Sequence, residues 1–221
     1  MSGVNDGYLQ SLNLVCGGLL LTAVLVLWRR DVRAIVRLVC LQGVLLAGLA
    51  AVLAVHHDSD ELVIGTVALL LLKGVLLPFL LARAARSAEG AREAEPLINV
   101  PASLLAAALL TLLAYAASQP LTEVAPGPEA DAIPVGIAMV LIGFLTLTTR
   151  RNAVPQVAGF LVLDNGIGVT ALLATEGVPL VVELGAALDL LLIVLILQIL
   201  TARLRVVYGA TDLDELRELR D

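Results

Sequence analysis

From its first residues onward the chain is a succession of apolar runs separated by polar breaks. A helix crosses the hydrocarbon of a bilayer with about 20 predominantly apolar residues. By that rule the pattern predicts seven spans, at about 8–28, 32–55, 61–82, 98–118, 132–149, 153–175 and 179–204. The breaks are short except for 83–97 and 119–131, the second being rich in Pro and acid (PLTEVAPGPEAD). The first run is too long for a signal-peptide core and has no basic stretch before it, so it is read as a first span. The fold expected is an all-α integral membrane protein.

Charge gives the spans a direction. Arg29, Arg30, Arg33 and Arg37 flank the first break, Arg83, Arg86 and Arg92 the third, and Arg150 and Arg151 the fifth. Arg203, Arg205, Arg217 and Arg220 follow the last span, so 13 of the 14 basic residues fall on one side of a seven-span chain. Asp58, Asp60, Glu61, Glu123, Glu129, Asp131 and Glu176 fall on the other. Basic residues are retained on the cytoplasmic side, which predicts an outer N-terminus and a cytoplasmic C-terminus. Composition agrees: 59% of residues are hydrophobic, 15% are charged and the mean hydropathy is +0.97, whereas soluble domains are about a quarter charged. The net charge of −6 resides mostly in loops and tail, where it is solvated. Cys16 and Cys40 lie in apolar runs without CxxC spacing and read as small buried hydrophobes.

The pattern also repeats. Arg29-Arg30 and Arg150-Arg151 stand 121 residues apart, each closing an apolar run; Gln42 falls on Asp164 and Glu61 on Glu183 at 122, and Arg83 on Arg203 at 120. Spans one to three and five to seven therefore read as parallel copies of one three-helix module, which require an odd linking helix between them. The expected organisation is a first module with its cytoplasmic loop (1–97), a linking helix with an external loop (98–131), a second module (132–204) and an amphipathic cytoplasmic tail (205–221). In the tail, Thr211 with Asp214 resembles a capping box, and Leu213, Leu216 and Leu219 recur at helical spacing.

Four ionisable side chains fall inside the spans: Lys73, Asp164, Glu183 and Asp189. A charge at bilayer depth costs roughly 2.5–3.5 kcal/mol on insertion scales, so it persists with a partner or a task. At 1.5 Å per residue, Lys73 lies about 15 Å, Asp164 about 20 Å and Asp189 about 21 Å from the basic boundary. Glu183 lies near the outer boundary. Titratable groups at one depth suit lateral proton movement in the membrane plane. Lys73 is the lone lysine among 13 arginines; a buried lysine can release its proton and arginine does not. Pro78 cannot donate to the carbonyl of Gly74, which predicts a kink beside Lys73, and Asp164 is followed by Asn165, Gly166 and Gly168, poor helix formers that let helices approach or open. The plainer reading of Lys73 is a static ion pair locking two helices. Asn165 is expected to support the relay; Gln42, Gln156 and Gln198 read as interhelical hydrogen-bond donors and acceptors, Gln42 and Gln156 beside the relay. His56 and His57 read as surface residues at a span end.

No phosphate loop, CxxC, HExxH, serine nucleophile elbow or basic aromatic patch is present in the sequence, so no cofactor, metal site or nucleic-acid partner is expected. The run Arg150-Arg151-Asn152, Gln156, Gly159, Asp164-Asn165-Gly166, then Pro179, Val182-Glu183, Gly185 and Asp189, together with Lys73 and its following LLP, resembles the hydrogenase-4 component E family. Its members are membrane subunits of group 4 [NiFe]-hydrogenase and formate hydrogenlyase-type complexes. Residues 132–204 are also similar to the K subunit of respiratory complex I. Where the family motif carries glutamate, this chain has the shorter Asp164. The resemblance implies a non-catalytic subunit of the inner-membrane arm of a complex-I-like, proton-translocating complex, beside antiporter-like subunits, with Lys73, Asp164, Asp189 and Glu183 in a charge relay. Two other readings stay open: a subunit of a multi-subunit cation/proton antiporter, and a structural scaffold with static pairs.

Overall fold

A computed structural model describes residues 2–87, 99–124, 127–150 and 152–175, with Leu191, Val194 and Gln198 beyond them. The described residues form seven α-helices and one π-helical turn, with no strand among them. Helix α1 spans Ser2–Trp28, α2 Val32–His57, α3 Asp60–Leu69, α4 Leu77–Ser87, α5 Val100–Val124, α6 Pro128–Thr149 and α7 Ala153–Ala174. The π-helical turn, Leu70–Leu76, joins α3 to α4 as one continuous rod. Among the described residues six stretches are long and apolar enough to cross a membrane: Asp6–Trp28, Val32–His57, Asp60–Arg83, Val100–Pro120, Pro128–Thr149 and Val154–Ala174. The chain is a multi-pass membrane protein, and these six match the first six spans read from the sequence. The seventh span, Glu183, Asp189 and the tail lie outside the described residues.

Local chemistry places the breaks. Asp31 caps α2, its carboxylate accepting from the Arg33 amide at 3.1 Å. Asp58 ends the same helix in the left-handed conformation (φ 49°), and Ser59 then caps α3. Such caps satisfy backbone groups that a helix end leaves without partners.

Helices α1, α2, α7 and α6 pack in a ring in that order. The α3–π–α4 rod lies against α2 and reaches α7 through α4, while α5 lies on the far flank against α6 and α1. The α5 span is the least enclosed, 17% buried against 61% for α6. Its outward leucines, among them Leu105, Leu109 and Leu112, suit hydrocarbon.

The tightest packing joins α6 to α7, and glycine makes it. A Cβ on Gly143 would lie 2.4 Å from the Leu163 nitrogen, and one on Gly159 2.6 Å from the Leu147 nitrogen. Gly136 and Gly166 face each other in the same way, each Cβ meeting the other's carbonyl oxygen at 3.0 and 2.8 Å. Small residues let membrane helices approach until backbones touch. From the sequence, Gly166 lets helices approach or open; the structure realises the approach. Helix α7 runs unbroken through it, because the entropy cost of a helical glycine is offset by this contact. Gly143→Leu should therefore lower the unfolding free energy in detergent by about 1–3 kcal/mol, the usual cost of overpacking. Gly17→Leu, at a position with open space around it, should leave the thermal melt followed by circular dichroism nearly unchanged.

A buried ion pair on a π-helical turn

Lys73 and Asp164 meet between the α3–α4 rod and α7. The Lys73 ammonium donates to Asp164 Oδ2 at 2.8 Å, with Lys73 2% and Asp164 9% exposed. The depths counted from the boundary arginines, within about one helical turn of each other, thus meet at one level in space. At this separation, without water around it, the attraction is large, and it is set against the desolvation of both ions.

The lysine is delivered by the π-helical turn. Pro78 has no amide proton for the Gly74 carbonyl, and in a regular helix its ring would press on that carbonyl. Widening the helix resolves the conflict: the Leu77 amide reaches back to the Leu72 oxygen, five residues away. The Cys40 thiol on α2 then donates to the Gly74 oxygen at 3.0 Å. Cys40 is half-buried and supplies the missing hydrogen bond, which corrects its reading as a plain hydrophobe. The expected kink is realised as a π turn.

Helix α2 presses closely on this turn. A Cβ on Gly43 would lie 2.1 Å from the Lys73 carbonyl oxygen and 2.8 Å from the Gly74 nitrogen. Only a glycine fits there. Next to it Gln42, fully buried, accepts from Asn165 Nδ2 at 3.0 Å and donates to the Leu19 carbonyl of α1 at 3.5 Å. Consecutive residues of α7 therefore face two neighbours, Asp164 the lysine and Asn165 the glutamine of α2. Gln198 donates to the Leu80 carbonyl at 3.1 Å, and so Gln42 and Gln198 do bridge helices. Gln156 differs: its amide closes on the Arg150 carbonyl at 2.8 Å, tying the start of α7 to its own preceding loop.

Two features escaped the sequence reading. Arg150, a boundary marker by sequence, is only 2% exposed. Its Nη2 donates to the carbonyls of Leu27 at 2.5 Å, Arg29 at 3.0 Å and Val26 at 3.5 Å, satisfying acceptors that the end of α1 leaves open. Burial first, and then the charge of Arg30, pull its pKa below the ordinary value; an arginine remains charged all the same. At the opposite end the Tyr8 hydroxyl donates to Glu129, and its ring stacks on His56 at 3.8 Å. His56 and His57 are exposed, as expected. No group of three or more potential metal ligands occurs among the described residues.

Comparison with known proteins follows the same lines. The chain is 49% identical over 222 residues to "Uncharacterized protein Rv0085" of Mycobacterium tuberculosis, covering 100% of both. It is 24% identical over 208 residues to "Hydrogenase-4 component E" of Escherichia coli K12, covering 94% of this chain and 96% of that one, and equally so to the protein of that name from Shigella flexneri. This is distant homology along nearly the whole length. No family model and no solved structure matches.

Removing one partner of this buried pair strands the other. Asp164→Leu or Lys73→Met alone should destabilise the protein by about 3–5 kcal/mol, whereas the double substitution should recover most of that loss. Equilibrium unfolding of the four chains in one detergent measures the coupling; additive losses would mean that the two charges are held independently.

Proposed function

The chain belongs to the same family as Rv0085, and from that premise we propose that it is a non-catalytic membrane-arm subunit of a complex-I-like, proton-translocating complex in the inner membrane. The observation that carries this reading is the Lys73–Asp164 pair, 2.8 Å apart and buried at membrane depth. The distant relatives named hydrogenase-4 component E supply the class of assembly: a hydrogenase component, with further membrane-arm subunits as neighbours.

In a low dielectric the ion pair and its neutral form differ much less in energy than separated ions do, because the neutral form escapes desolvation. A charge arriving nearby can then move the proton between nitrogen and oxygen. Lys73 and Asp164 form the core of a lateral relay. Asp189 and Glu183 continue it, and the Gln42–Asn165 bridge holds Asp164 in register. Gln156 supports it more remotely by fixing the first turn of α7.

The same proposal takes the chain as two parallel three-helix modules, 1–97 and 132–204, linked through 98–131, with a tail at 205–221. Hydrogen bonds at matched positions or within a turn of them support it: Tyr8 with Glu129 and Arg29 with Arg150, each 121 apart, Gln42 with Asn165 at 123 and Leu80 with Gln198 at 118. Helix α1 packs on α6 and α2 on α7, while α1 touches α7 only slightly. Modules side by side produce this pattern, whereas a twofold axis through the middle would place matched helices across a diagonal. The similarity of 132–204 to the complex I K subunit belongs to this reading. An experimental structure whose two triplets do not superpose would remove it.

The near-complete burial of Lys73 favours a second reading, a scaffold whose ion pair only locks helices. One experiment separates the two. In the intact complex reconstituted into vesicles, Asp164→Asn and Lys73→Ala should leave the set of co-purifying subunits unchanged. Proton translocation per turnover should fall by at least about tenfold, the effect of one pKa unit on a transfer equilibrium. Normal pumping in both variants would overturn the relay, and loss of the assembled complex with normal pumping in what remains would establish the scaffold.

A further inference from the structure

The ion pair leaves unexplained two exposed charges on α2. Arg33 and Arg37 stand one turn apart on the outward face of α2, and both are exposed. Their face continues with Leu41 and Val44, again exposed, at the spacing of successive helical turns. Among the described residues neither arginine forms an ion pair. The nearest acid in sequence, Asp31, spends its carboxylate on the backbone amide of Arg33.

Depth makes this unusual. The membrane-length span that contains both residues begins at Val32. Arg37 therefore lies about 7–8 Å along the helix from its start at 1.5 Å per residue. A guanidinium at that level meets lipid phosphates, and the leucine and valine beyond it meet acyl chains. Trp28, exposed at the same end with the Arg29 guanidinium 5.4 Å from its ring centre, marks the headgroup level as interfacial tryptophans do. Arg83, also exposed, ends the span of the rod that packs against α2.

We propose that this face of α2 is a binding site for an anionic phospholipid, its phosphate held between Arg33 and Arg37 and its acyl chain laid along Leu41 and Val44. A free phosphate would use the arginines and ignore the apolar continuation. An acidic protein segment would pair with the arginines at the phosphate level and leave the apolar continuation uncovered. The head-to-tail order of cation then apolar surface along one face is that of a lipid. The inference is independent of the proton relay.

The test uses the full-length protein in phosphatidylcholine micelles, titrated with phosphatidylglycerol and read by native mass spectrometry. A basic residue near an anionic lipid surface is worth roughly fivefold in binding, so Arg33→Gln with Arg37→Gln should weaken phosphatidylglycerol retention by roughly 30-fold. Arg30→Gln, at the same end but off this face, should change it by less than about threefold, and phosphatidylcholine retention should not move. The double lysine variant, Arg33→Lys with Arg37→Lys, keeps both charges and should bind nearly as the parent does, which separates loss of the site from loss of the fold. Equal retention by the double glutamine variant would overturn the proposal. So would an equal loss in Arg30→Gln, the mark of a diffuse positive field. Unchanged lipid retention accompanied by loss of co-purifying subunits would overturn it in favour of a protein interface.

Discussion

The constraint on which the rest of this structure depends is the need to keep two opposite charges together away from water. Lys73 and Asp164 lie on segments separated by 91 residues in sequence, so their meeting is a property of the whole bundle. The π turn aims the lysine, Gly43 lets α2 approach the turn, and the Cys40 thiol occupies the carbonyl that Pro78 leaves open. Each of these devices would be a defect alone: a broken helix, a costly glycine, a polar sulfur in hydrocarbon. Together they satisfy one another, as a buried polar network must in a low dielectric.

The remaining polar contacts between helices sort by level. At the basic end Arg150 gathers the last carbonyls of α1, and at the other end Tyr8 joins α1 to His56 of α2 and Glu129 of α6. Between them lies the side-chain layer of Gln42, Asn165, Lys73 and Asp164, all four buried. Apolar packing alone would allow helices in a bilayer to slide or rotate, since lipid is as apolar as leucine. Three polar levels, each tying different helices, fix both depth and rotation.

Much of this was legible in the sequence, for identifiable reasons. Span positions follow from length and hydropathy, because a bilayer imposes a thickness, and the six described spans agree with the reading to within a few residues. That Lys73 and Asp164 share a depth could be counted from the arginines, because the rise of a helix is fixed. What could not be counted was rotation about the helix axis. Gln42 was matched to Asp164 by position, yet its amide meets Asn165, one residue on. Nothing in a glycine's neighbours told that Gly43 would touch a carbonyl while Gly17 would face open space. Arg150 was hidden by its own company, since a run of two arginines at a span end ordinarily reads as solvated charge.

The match between Gln42 and Asp164 carries a last consequence on the two-module reading. Modules packed side by side bring equivalent positions close to each other. Had both copies kept a carboxylate at this level, two acids would face each other beside a single lysine. Like charges at that range raise one another's pKa and disfavour the ionised pair. An amide in one copy removes the repulsion, keeps the hydrogen bond to α7 and leaves the lysine one carboxylate from α7. Asn165 makes the complementary choice on α7, offering a neutral donor to Gln42 one residue from the acid. On that reading, the difference between Gln42 and Asp164 is what a repeated charged helix requires once it packs against its own repeat.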